Sequence, residues 1–252
     1  QQTGWAINFF TLQKNGQIET VAPCFLKFHS YGEYVFDWSW AEAFHRSGIQ
    51  YYPKLLFASP FTPISGARLL GLSNSTEIDI FRCGIEGWCR ENYLPTAHIL
   101  FCHEKETSVF EKKEWLTRKT IQFHWKNMNY ECFDDFLSSL QQKKRKKIKS
   151  ERKKILEKKI VCRVLHGDQI RIDHLDFLYR CYRKTYADHF STPYLNEFFF
   201  NLLHYKLQHN LVISIAYTSD DKPIASSLAI LENINGEKSL FGRYWGAVED
   251  IP

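Results

Sequence analysis

Between Lys143 and Lys159 the chain carries eleven lysines and arginines against only Glu151 and Glu157. No folded core can absorb such a run, because burying ammonium and guanidinium groups without partners is prohibitively costly. The segment must lie on a surface, and as a helix rising 1.5 Å per residue it is ~25 Å long. The folding is left to the flanks, which hold 22 basic and 26 acidic residues. The formal net charge of +5 is thus concentrated in one element. Such a field attracts phosphates, so RNA is a candidate partner for Lys143–Lys159. The run contains no aromatic residue that could stack on single-stranded bases, and a solvated connecting helix has the same composition.

With 252 residues and 44% hydrophobic content, the flanks can bury real cores, as one large domain or two smaller ones. The longest apolar runs, "LVISIAY" and "KLLFASPF", are too short to cross a bilayer, and no cleavable leader is visible. The seven cysteines form no CxxC pair, and Cys83 and Cys89 are spaced too widely for a zinc site. They read as reduced thiols in a cytoplasmic protein without a metal. The chain begins at Gln1, has Met128 as its sole methionine and stops just after a strand-like run, which reads as a piece of a longer protein.

Patterning predicts two strands, "WAINFFTL" and "ETVAPCFLKFH", joined at Asn15-Gly16, a dipeptide suited to a tight hairpin because both central residues need positive φ. A short helix is expected from Trp38 to Arg46, then a strand in "YYPKLLFASPFTP", the loop "ISGARLLGLSNS", and a helix capped by Ser75 or Thr76. "TAHILFCHE" and "KTIQFHWKN" read as strands, and a long helix is expected from Cys132 through the basic run. Residues 169–189 and 194–207 read as amphipathic helices, followed by strands in "LVISIAY", "PIASSLAILE" and "KSLFGRYWG". The fold class is α/β or α+β. Its domains are 1–130, a basic connecting helix over 131–162, and 163–252, the outer two resembling copies of one α/β unit cut at different points.

The chemistry concentrates in "KFHSYGEYVFDWSWAEAF", residues 27–44. Carboxylates flanked by aromatics are desolvated and become bases near neutral pH, which singles out Glu33 and Asp37 as catalytic candidates. His29, Tyr34, Trp38 and Lys54 are candidate substrate-binding residues beside them. The alternative is that Glu33 and Asp37 only anchor the following helix. "PFTPISGARLLG" has the strand–loop–helix order that cradles phosphates, making Gly66, Arg68 and Gly71 cofactor-binding candidates, although it contains neither GxGxxG nor GKS/T. In "FGRYWG", Arg243 and Trp245 share one strand face and Tyr244 takes the other. Arg243 and Tyr244, with His124 of "QFHWKN", complete the candidate substrate-binding set.

The segments "KFHSYGEYVFDWSWAEAFHRSGIQYYPKLLFASPFTPISGARLL", "IQFHWKN", "FDDFLSSLQQKKRKKIKSERKK" and "LFGRYWG" resemble a bacterial family labelled peptidoglycan biosynthesis/recognition. That family is related to the FemAB peptidyltransferases and the GNAT acetyltransferases. The resemblance implies tandem GNAT-like domains and transfer of an acyl or aminoacyl group onto an amine of a small-molecule or peptidoglycan-precursor substrate. Acetyl-CoA, another acyl-CoA or aminoacyl-tRNA would be the donor. The loop departs from the acetyl-CoA signature Arg/Gln-x-x-Gly-x-Gly/Ala, and a non-catalytic module recognising a cell-wall precursor or RNA is the alternative.

Overall fold

A computed structural model describes residues 4–72 and 74–249. The chain divides into two compact units, Gln1–Phe123 and His124–Pro252. The first unit opens with the expected hairpin. Strands β1 (Ala6–Lys14) and β2 (Gln17–Lys27) are joined by Asn15 and Gly16, both at positive φ. Helix α1 spans Trp38–Arg46, as the pattern predicts. Strand β3 (Lys54–Phe57) then pairs antiparallel with β2 and parallel with β4 (Thr96–Ile99), giving a mixed sheet in the order β1-β2-β3-β4. The parallel pair needs a crossover, and α2 (Ser75–Glu91) supplies it. Asn74 caps that helix, its side chain accepting from the Glu77 amide, one residue before the expected Ser75.

Period-two alternation gives this sheet two different faces. Ala22, Cys24, Leu55 and Phe57 turn one way and pack against Ile78, Phe81 and Ile85 of α2 and Phe110 of α3 (Glu104–Glu111). The other face presents Phe25, Lys27, Lys54 and Leu56, with Trp5 and Val35 closing over Leu56. The polar machinery of this unit lies on that second face.

The second unit runs α4 (Phe133–Ser139), α5 (Gln142–Glu157), β5 (Val161–His166), α6 (Ile172–Asp188), α7 (Glu197–Leu207), β6 (Leu211–Tyr217), β7 (Pro223–Ile234) and β8 (Glu237–Ala247). Its strands form a fully antiparallel sheet in sequence order. The single long helix expected from Cys132 is two helices. Leu140 adopts extended backbone between them, and the Ser138 and Ser139 hydroxyls bond back to Asp134 and Phe136 carbonyls, a habit that weakens helices. The basic helix lies within the second unit, His124–Pro252. "KTIQFHWKN" is irregular, with Ile121 and Phe123 almost wholly exposed, and among the described residues no strand pairs with it. Conversely β5 escaped sequence reading: as an edge strand it buries almost nothing and carries no alternating signal.

Candidate functional site

The stretch from Phe28 to Trp40 reverses the usual rule for what goes inside. Ser30, Glu33 and Asp37 are buried, while Phe28, Tyr31, Tyr34, Phe36, Trp38 and Trp40 are exposed. Gly32 makes the turn possible. Its φ is +81°, and a Cβ there would sit 2.5 Å from the Phe61 ring. Tyr34 and Trp38, expected to bind substrate beside the carboxylates, are both exposed. His29 is half-buried at the rim, its ring against Tyr31, which in turn packs on Trp38.

What draws the acids inward is Lys54, a fully buried lysine on the central strand β3. Its Nζ donates to Glu33 Oε2 at 2.8 Å, Asp37 Oδ2 at 2.6 Å and Ser30 Oγ at 2.8 Å. All three ammonium protons are thereby used, so Lys54 acts as a fixed cation. The network extends in both directions. Tyr51 donates to Asp37 Oδ2 at 2.7 Å and lies 3.3 Å from His98 Nε2, while the Tyr52 hydroxyl is 2.7 Å from Ser30 Oγ. Glu33 Oε1 and Asp37 Oδ1 are buried without a hydrogen-bond partner.

The two carboxylates differ in acidity. Burial pushes Glu33 above the usual carboxylate range, and Lys54 only partly opposes it. Burial also acts on Asp37, but hydrogen bonds from Lys54, Ser30 and Tyr51 more than offset it and hold that carboxyl below its ordinary value. Burial, reinforced by Lys54, pushes His98 down to about 4, so it is a neutral imidazole at pH 7. Two acids driven apart on one cation are the arrangement that assigns a base and an anchor.

Beside the cluster an open cleft of about 490 Å³ is lined by Ala41 and His45 of α1 and by residues 48–52. Tyr51 and Tyr52 form its inner wall, and their hydroxyls are the groups that reach Asp37 and Ser30. The buried acids are thus one side chain removed from a space that can hold a ligand.

The loop expected to cradle phosphate is occupied by the chain itself. The amides of Arg68 and Leu69 donate to Glu106 Oε1 at 2.9 and 2.8 Å, the Gly66 amide to Phe101 O, and the Leu70 amide to Val21 O. The Arg68 guanidinium donates to the carbonyls of Leu100, Ala67 and Ile64. Gly71 is required by backbone crowding, since a Cβ there would lie 2.3 Å from Glu19 O. Gly66, Arg68 and Gly71 brace this loop, and its amide nest already holds an anion.

His124, Arg243 and Tyr244 belong to the second unit. His124 is exposed in the irregular segment. The Arg243 guanidinium lies over the Tyr244 ring at 5.4 Å, and Tyr244 packs edge-on against Tyr182 and Phe200. Sequence reasoning missed Lys27, Ser30, Tyr51, Tyr52 and His98. The available signal was a lysine at one end of each of two apolar strand patterns, Lys27 closing β2 and Lys54 opening β3.

These features define a mixed α/β protein with an ionic cluster buried under one sheet and a cleft at its side. The chain belongs to the FemAB-like family of peptidoglycan biosynthesis/recognition, whose sequence model spans residues 1–252. Peptidoglycan-related biosynthesis or recognition is the role that membership establishes. No curated protein matches the chain. No described helix is long and apolar enough to cross a membrane.

Proposed function

We propose that the protein is a cytoplasmic acyl- or aminoacyl-transferase that places an acyl group on an amine of a peptidoglycan precursor. The observation that carries this reading is the pair Glu33 and Asp37, both held on Lys54 and set apart in acidity. The acceptor amine attacks the acyl carbon of a thioester or aminoacyl ester. A C–N bond forms, the C–S or C–O bond breaks, and the leaving sulfur or oxygen takes up a proton. The proton lost by the amine passes to Glu33, through water entering from the cleft past Tyr51 and Tyr52, and from Glu33 on to the leaving sulfur or oxygen, which returns Glu33 to its ionised form. Asp37 stays ionised and keeps Lys54 and Tyr51 in place.

Element order supports tandem GNAT-like units. The second unit has a strand, two helices and three antiparallel strands; the first has a hairpin, then a parallel pair with a helical crossover. We read these as the early part of one such unit and the later part of another. For the donor, aminoacyl-tRNA is favoured over acyl-CoA by two features. The phosphate-type nest is filled by Glu106, and α5 presents its basic residues with none buried.

Full-length protein supplied with labelled acyl-CoA or aminoacyl-tRNA and precursor amines tests the proposal. Glu33→Gln is expected to lower turnover by about 10²-fold or more, with unchanged far-UV circular dichroism; full turnover in that variant refutes the assignment. A second reading, a non-catalytic precursor-binding module, is favoured by the Lys54 protons all being satisfied internally. Saturable precursor binding with no turnover from either donor selects it.

A further inference from the structure

Lys27 closes β2 at the position directly opposite Lys54 in the antiparallel register. Side chains at opposed positions leave the sheet on the same face. Both lysines are fully buried, and both interact electrostatically with the buried Glu33 carboxylate. Like charges opposed across strands are unfavourable, so the pair calls for compensating anions, and Glu33 attracts both.

The hydrogen bonding is unequal. Lys54 has used its three protons, whereas Lys27 makes one hydrogen bond, to Tyr31 O at 3.0 Å, with its Nζ 4.1 Å from the centre of the Trp5 ring. The cluster therefore has donor capacity left on Lys27 and acceptor capacity left on Glu33 Oε1. The charged and titratable groups facing Lys27 are Glu33 in the loop after β2, which attracts it, Lys54 on β3, which repels it, and His29 two residues on.

We propose that Lys27 is a positioning residue for Glu33, the second cation of the cluster, and that it keeps the Glu33 carboxyl ionised and able to accept a proton. Without it, one cation faces two buried carboxylates, and Glu33, already disfavoured as an anion by burial, takes up a proton and ceases to be a base. This rests on the transferase reading for its consequence but not for its measurement.

The test is the carboxyl ¹³C titration of Glu33 in the full-length protein, its resonance identified by loss in Glu33→Gln. In Lys27→Met the Glu33 midpoint is expected to rise by about one pH unit or more, and Lys27→Arg, which keeps the charge, should restore it. Wild-type protein should also show a second inflection of the Glu33 resonance where Lys27 loses its proton, near pH 8. A midpoint unmoved in Lys27→Met overturns the proposal, as does a missing inflection in wild type, which decides the matter alone if the variant does not fold. A moved midpoint with no turnover in wild type refutes the transferase reading and leaves the role of Lys27 standing. With turnover present, the acid limb of kcat against pH should move with the midpoint, which a purely structural lysine would not produce.

Discussion

Removing the Lys54 ammonium would leave Glu33 and Asp37 side by side in a space that water barely reaches. Breaking a buried ion cluster at one member costs about 3–5 kcal/mol, and Lys54→Met should lose this much in urea denaturation at pH 7. Adding Glu33→Gln should recover part of it, because a single carboxylate then remains beside the one remaining cation, Lys27. The sign of the pH dependence is a sharper check. In wild type the folded Asp37 carboxyl lies below its ordinary value of 3.8. Its contribution is full above that value and is lost as pH falls through the folded one. Glu33 is raised above 4.5, so it stabilises at low pH and surrenders that as pH rises. Losing Lys54 moves Asp37 to the raised side too, and the variant should become steadily less stable from about pH 4 to 7. The residue-level chemistry was partly legible: acids among aromatics pointed to raised carboxyls, which holds for Glu33 but not for Asp37, held low by its hydrogen bonds. Which way each side chain faces was not, because six aromatics pointing outward and three polar groups inward runs against every burial preference.

At the scale of elements, the short-range signals carried furthest. Asn15-Gly16 set the hairpin, and spacing placed α1 at Trp38–Arg46 and β6 at Leu211–Tyr217. What failed needed a distant partner. Glu106 fills the amide nest of residues 37 and 38 positions earlier in the chain, and no local pattern announces that. The same carboxylate accepts from the His103 amide at the start of α3, so it fastens loop and helix together. Glu106→Ala would leave the buried amides of Arg68 and Leu69 unsatisfied, each costing about 1–3 kcal/mol. Thermal unfolding should show the loss, and Glu106→Gln, which keeps an acceptor oxygen, should recover much of it. The strand expected at "KTIQFHWKN" failed for the complementary reason: its sequence suits a sheet, but among the described residues no neighbouring strand accepts it.

For the whole molecule, the concentration of charge in one exposed helix was the firmest message of the sequence, and α5 bears it out by burying none of its residues. If aminoacyl-tRNA is the donor, tRNA affinity of the full-length protein should fall steeply with salt. Changing Lys143, Lys144, Arg145, Lys146 and Lys147 to glutamine should weaken it by more than about tenfold and flatten the salt slope. Fluorescence anisotropy across a salt series measures both, and a salt-independent affinity would contradict the tRNA reading. The lysines opposed across β2 and β3 have a different consequence. Sliding either strand by one position would carry its ammonium through the sheet, into the hydrocarbon packing around Phe81 and Ile85. Misalignment is thus penalised by electrostatics as well as by shape, and the charges that serve the acids also act as a key that admits one pairing of the first unit's central strands.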